Sequence, residues 1–211
     1  LLTGLISIRS RGSYFIMITL AFGQMLFFLA TALAQYGGDD GMTLPARSQM
    51  FGKAVLDSDA NLYYVSVFVL IGVYCLLHRI VRSHFGRVLT GARENATQMQ
   101  AMGFKPFQYQ LAAYVIAGTL SAIAGVLLAN QAGFVSPSTM MWQRSGDLIF
   151  MVVLGGSGTL HGAILGAIVY LLSEEMLSQI TEHWAIIFGP FLVLSVFVAR
   201  KGLVELFSRS E

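Results

Sequence analysis

Residues 106–143 read PFQYQLAAYVIAGTLSAIAGVLLANQAGFVSPSTMMWQ and contain no Asp, Glu, Lys or Arg. A helix needs about 20 mostly apolar residues to cross the hydrocarbon layer of a bilayer, and this run is longer than that. Lipid offers no partners to backbone N–H and C=O groups, so a run of this kind must be helical. Four further stretches are free of charge: Ser13–Gly38, Ala60–His78, Leu148–Ser173 and His183–Ala199. The alternating pattern of a membrane barrel is absent from all of them.

Composition points the same way. The chain has 211 residues, of which 55% are hydrophobic and 11% charged, and a mean hydropathy of +0.68. Soluble domains carry about 25% charged residues. A soluble core of buried helices would need a polar shell that this chain does not have. The net charge of +2 is too small for electrostatic capture of nucleic acid, so no nucleic-acid partner is expected. Cys75 is the single cysteine and cannot close an internal disulfide.

The fold class expected is therefore all-α: a polytopic membrane helix bundle of about six membrane segments, forming one domain over 1–211. The pattern predicts helices near 12–35, 61–80, 110–130, 160–177 and 184–200. A sixth, shorter apolar segment at 147–155 is about half a membrane long and is either a tilted span or a re-entrant piece.

Basic residues orient the bundle. Loop 81–109 carries Arg82, Arg87, Arg93 and Lys105 against Glu94 alone. Arg9 and Arg11 flank the first long helix, and Arg200, Lys201 and Arg209 occupy the tail. Loop 36–60 is instead rich in acids: Asp39, Asp40, Asp57 and Asp59. The positive-inside rule makes the first three regions cytoplasmic and loop 36–60 external. That parity requires segment 147–155 to cross. Arg79 and Arg82 anchor the inner end of their helix by snorkelling, and Tyr63, Tyr64, Trp142 and Trp184 suit aromatic belts. Leu1–Ile8 resembles the last turns of an earlier helix rather than a signal peptide, so the sequence reads as part of a longer protein.

Two stretches stand out. In loop 81–109, residues 93–102 favour helix, Gly103 suits its C-terminus, and Pro106 follows. The plain reading is a solvated connector, and the sharper one a docking element for a cytoplasmic partner. Gly155, Gly156, Gly158, Gly162 and Gly166 crowd a turn between two apolar segments. Gly162-x-x-x-Gly166 allows helix backbones to touch, and the density at 155–158 also fits non-helical backbone lining a cavity.

Other chemistries are weaker. Gly155-Gly156-Ser157-Gly158 matches the serine motif of rhomboid-like intramembrane proteases, but a histidine must reach that hydroxyl. His183 is expected at an external helix end, away from the cytoplasmic turn that holds Ser157, and nothing holds His161 as a base. An ion-coupled secondary transporter would hide charged groups at mid-membrane. Glu174 and Glu175 fall near a helix end, and Asp147 is expected to pair locally with Arg144. His78, His84, His161 and His183 are scattered, without metal-ligand spacing.

Five motifs in order resemble those of LivM-type permeases of branched-chain amino acid ATP-binding-cassette (ABC) transporters. They are Arg93-Glu94-Asn95 with Ala101-x-Gly103, and Arg9-Ser10-Arg11-Gly12-Ser13-Tyr14-Phe15 running into Thr19-Leu20-Ala21-Phe22. The others are Gly37-Gly38-Asp39-Asp40-Gly41, Gly133-Phe134-Val135-Ser136-Pro137, and Val153-Leu154-Gly155-Gly156-Ser157-Gly158-Thr159-Leu160. Ala96 stands where such permeases often have an acid, Ala163 where many have proline, and His161 where an apolar or aromatic residue is usual. The resemblance implies a permease subunit of the bacterial inner membrane, working by alternating access and carrying no catalytic residue. It implies a second LivH-like permease, two cytoplasmic ATPases that use ATP, and a periplasmic solute-binding protein. Arg93, Glu94, Asn95, Ala101 and Gly103 would form the ATPase-coupling loop. No cofactor or metal is expected on this chain, and the sequence has no G-x-x-x-x-G-K-[ST] loop for nucleotide phosphates.

Overall fold

A computed structural model of the chain describes residues 2–10, 12–33, 37–44, 47, 58–156, 158–179 and 189–190. The described residues are helical apart from one two-stranded ribbon and the connecting turns. Contacts gather into two compact units, Leu1–Met141 and Trp142–Glu211, and each is described by itself.

The first unit begins with α1 (Leu2–Ser7) and α2 (Ser13–Ala32). Strand β1 (Met42–Thr43) follows, then α3 (Asp59–Arg82), α4 (His84–Glu94), α5 (Ala96–Ala101) and α6 (Pro106–Ala132). Strand β2 (Phe134–Val135) and a 3-10 turn, Pro137–Met140, complete it. The predicted helices 12–35, 61–80 and 110–130 correspond to α2, α3 and α6. Local chemistry sets their ends. Pro106 opens α6 where its missing N–H costs nothing. Gly133 closes it in the left-handed region at φ 61°, its N–H donating to the Ala129 carbonyl at 3.0 Å. Arg79 and Arg82 occupy the last turn of α3, where cations favour the helix dipole.

The ribbon tests the charge reading. Met42 pairs with Val135 and Thr43 with Phe134 in antiparallel register, and the Leu44 N–H donates to the Gly133 carbonyl at 2.9 Å. Residues 42–44 therefore meet the C-terminal end of α6, while loop 81–109 leads into its N-terminal end. Among the described residues, the stretch that follows Asp39 and Asp40 and the basic loop lie at opposite ends of one 27-residue helix, the arrangement expected from the positive-inside rule.

The second unit is a hairpin of α7 (Trp142–Gly155) and α8 (Leu160–Ser178). Helix α8 matches the segment predicted over 160–177, and α7 contains the short one. The helix predicted over 184–200 lies outside the described residues, apart from Gly189 and Pro190. Thr159 caps α8, its hydroxyl accepting from the Gly162 N–H at 3.1 Å. At 1.5 Å per residue, the 14 residues of α7 reach only about 21 Å, short of the ~30 Å hydrocarbon layer.

Four described helices, α2, α3, α6 and α8, are long and apolar enough to cross a membrane. The most apolar stretches of α2, α3 and α6 have no residue buried within the chain. Large side chains such as Tyr14, Phe28, Phe68 and Leu128 are more than half exposed. Water does not tolerate an apolar surface this continuous; lipid and neighbouring subunits do. The chain is a multi-pass membrane protein.

Candidate functional site

The soluble loop 81–109 folds as two short helices braced against the start of α6. Ser83 ends α3 and begins α4 in extended conformation, its hydroxyl donating to the Ile80 carbonyl at 2.6 Å. The corner is tight enough that a Cβ on Gly86 would stand 2.7 Å from the Val81 Cα. Gly86→Ala should therefore lower stability by about 1–3 kcal/mol, read as a fall in Tm of the detergent-purified protein.

Helix α4 is amphipathic and turns Val88 and Ala92 onto Met99 of α5, with Phe104 and Tyr109 packed around them. Gly91 leaves room for the Met99 thioether, since a Cβ there would lie 2.8 Å from Sδ. Aromatic rings finish the brace: Phe85 and Tyr109 are 5.5 Å apart, and His84 and Phe104 are 6.0 Å apart.

The helix predicted over 93–102 is not continuous. It breaks at Asn95, which sits at φ −150°, ψ 95°. Its Oδ1 accepts from the Gln98 N–H at 3.1 Å, capping α5. A short amide side chain competes with the backbone for hydrogen bonds and so favours a cap over a helix interior. Arg93 and Glu94 thus form the last turn of α4, and Ala101 ends α5. Removing the cap in Asn95→Ala should cost about 1 kcal/mol, measurable as a small drop in Tm.

The end of α5 follows expectation. Gly103 has φ 87° and is the left-handed residue of a complete Schellman turn. Its N–H donates to the Gln100 carbonyl at 2.9 Å, and the Phe104 N–H to the Met99 carbonyl at 3.1 Å. The Phe104 ring packs on the cluster that holds Met99, which is the apolar contact this turn calls for. Arg93, Glu94, Asn95, Ala101 and Gly103 are all exposed on one protrusion. Among the described residues, neither Arg93 nor Glu94 enters an ion pair, whereas Arg47 pairs with Asp59. Behind the protrusion opens a cleft of about 1110 Å³, bounded by Arg9, Phe15, Arg93, Asn95, Gln100 and Tyr114. The cleft brings the basic N-terminal flank to the same end as loop 81–109, again as the charges require.

The glycines of the second unit divide by role. A Cβ on Gly155 would overlap the Gly162 carbonyl and stand 2.9 Å from the Gly166 N. One on Gly162 would lie 2.6 Å from the Gly155 carbonyl oxygen, and one on Gly166 would stand 2.7 Å from the Gly155 N. These three are the contact surface of α7 and α8. Gly156, at φ 109°, makes the turn. Gly158 is exposed, with open space around it, and takes no part in packing. Ser157 and His183, the residues of the protease motif, lie outside the described residues. His161 is exposed in the first turn of α8.

One contact was not foreseen. The Tyr170 hydroxyl donates to Asp147 Oδ1 at 3.0 Å across the hairpin. The expected pairing of Asp147 with Arg144 is absent among the described residues, because the carboxylate turns towards α8 instead. The signal lay in spacing: Gly162, Gly166 and Tyr170 follow one another at four-residue intervals, as do Asp147, Met151 and Gly155. Among the described residues, no three His, Cys, Asp or Glu side chains gather as a metal site.

A polytopic helical body with one braced soluble protrusion and a glycine-welded hairpin is the framework of a transport permease. The profile of the family described as "Branched-chain amino acid transport system / permease component" matches residues 1–197, and the chain belongs to that family. It is 26% identical over 228 aligned positions to the high-affinity branched-chain amino acid transport permease LivM of Escherichia coli, covering 97% of this chain and 54% of the relative. The probable permease LivH of Methanocaldococcus jannaschii is 32% identical over 136 positions, covering 62% of this chain and 39% of that protein. The autoinducer 2 import permease LsrC of Photorhabdus laumondii is 25% identical over 145 positions, covering 65% and 44%. The chain thus spans about half the length of the curated relatives it matches. No solved structure matches it.

Proposed function

We propose that this chain is the membrane permease subunit of an ATP-driven ABC importer in the bacterial inner membrane. It forms part of the path for branched-chain amino acids or a related small polar solute, by alternating access. Its partners are a second, LivH-like permease, two cytoplasmic ATPases that bind and use ATP, and a periplasmic solute-binding protein. The α4–α5 protrusion carries this reading. It is braced at its base, exposed at its tip, and, among the described residues, its Arg93 and Glu94 enter no ion pair, which suits a surface that receives force from another protein. A partner can shift the permease between its states only through contacts that differ between them, and Arg93, Glu94, Asn95, Ala101 and Gly103 are the contacts offered. The names of the relatives support the solute class.

The test is uptake of labelled leucine by proteoliposomes holding the four-subunit complex and the binding protein. Uptake should require ATP inside and persist with a proton ionophore. Uptake that survives ATP depletion and collapses with the ionophore overturns the reading in favour of ion-coupled transport. With segment 147–155 taken as a crossing, the charge assignment further calls for the α7–α8 turn to face the cytoplasm. Gly158→Cys, at an open position, should then react with a membrane-impermeant maleimide in inverted vesicles and not in intact spheroplasts.

A further inference from the structure

Tyr170 is 3% exposed, and its hydroxyl reaches Asp147 across the last rung of the glycine-packed hairpin. A phenylalanine would fill the same space without bringing a carboxylate into an apolar contact, and polar groups in such places are costly unless they serve a purpose. The hydroxyl holds Oδ1 of Asp147. Oδ2 makes no hydrogen bond among the described residues. Arg144 stands on the same face of α7 at i,i+3 and is exposed. Opposite charges so spaced normally close on each other, yet here Tyr170 draws the carboxylate aside and the two stay apart. Arg144 lies one turn before Asp147 on α7 and Glu174 one turn after Tyr170 on α8, so the Tyr170–Asp147 bond brings these groups into one neighbourhood. Leu148, at i+4 from Arg144 and 62% exposed, adds an apolar surface beside the two charges.

We propose that Arg144 and Asp147 grip the two charged ends of a zwitterionic α-amino acid, with Tyr170 as the positioning residue. The guanidinium takes the substrate carboxylate, for which its planar fork is suited. The Asp147 carboxylate takes the ammonium, and Leu148 meets the aliphatic side chain. This rests on the permease reading above.

The experiment uses the complete transporter in lipid nanodiscs without binding protein, and reads ligand contact by saturation-transfer NMR. The probes are leucine, 3-methylbutylamine (no carboxylate) and 4-methylpentanoate (no ammonium). Leucine should bind the wild type, and its signal should fall about tenfold or more in Asp147→Asn and in Arg144→Gln. The amine should depend on Asp147 and not on Arg144, and the acid on Arg144 and not on Asp147. Tyr170→Phe should weaken leucine severalfold without altering which analogue depends on which charge. Equal binding of all three probes by wild type and both charge variants overturns the proposal, as does equal loss of all three. Arg144 is exposed, so Arg144→Gln decides even if Asp147→Asn does not assemble. Failure of the permease reading is recognised separately, by wild-type proteoliposomes that show no ATP-dependent uptake.

Discussion

Gly166→Leu is expected to leave no folded α7–α8 hairpin. A Cβ at this position already overlaps the Met151 carbonyl and the backbone of Gly155. Neither neighbour can yield, because both are main chain. The helices would have to separate along the whole Gly155–Gly162–Gly166 surface, exposing Leu154 and Tyr170, which are now 3% exposed. Loss of a contact of this size belongs to the rare substitutions that cost more than about 4 kcal/mol. Fluorescence size-exclusion of a tagged protein should show aggregate in place of the monodisperse peak. Gly158→Leu is the control. Its position is open, so its peak should match the wild type. A monodisperse Gly166→Leu protein would mean that the close helix contact does not hold the second unit together.

The second large effect concerns transmission rather than folding. Gly103→Val places a β-branched residue at φ 87°, where side chains with a Cβ are strained by about 1–3 kcal/mol. Nothing lies within 4 Å of the added Cβ, so the cost is one of backbone conformation alone. The cheapest escape is to abandon the Schellman turn, which frees Phe104 from Met99 and lets α5 swing about Asn95. The complex should still assemble and hydrolyse ATP, while leucine uptake falls about tenfold. Gly103→Asn, which tolerates positive φ, should retain most of the uptake. Normal uptake by Gly103→Val would remove α5 from the coupling path.

Much of this was legible in the residues. Long charge-free runs leave helix as the only way to pair backbone groups in lipid, so α2, α3, α6 and α8 follow from composition. Gly103 and Pro106 punctuate strongly enough to place the end of α5 and the start of α6. The break at Asn95 was harder, because residues 93–102 have helix-favouring composition. Only the choice of Asn95 between capping and continuing decides between one helix and two, and that choice depends on how Val88 and Ala92 meet Met99. The Tyr170–Asp147 contact was hidden for a related reason. Local spacing offered Arg144 as the partner, and the true one is distant in sequence, brought close by the glycine stack. Of the candidate site, the five residues picked out in loop 81–109 lie together, exposed, on the α4–α5 protrusion. Their division between two helices required the tertiary structure.

The β1–β2 ribbon limits how this end of the first unit can move. Met42 and Thr43 are stitched to Val135 and Phe134 by main-chain bonds, so β1 and the stretch just after α6 are clasped like two pages at a spine. A gate that opened by prising these two apart would have to unzip the stitch at every cycle. Any motion of this end must carry the clasped pair as a single leaf.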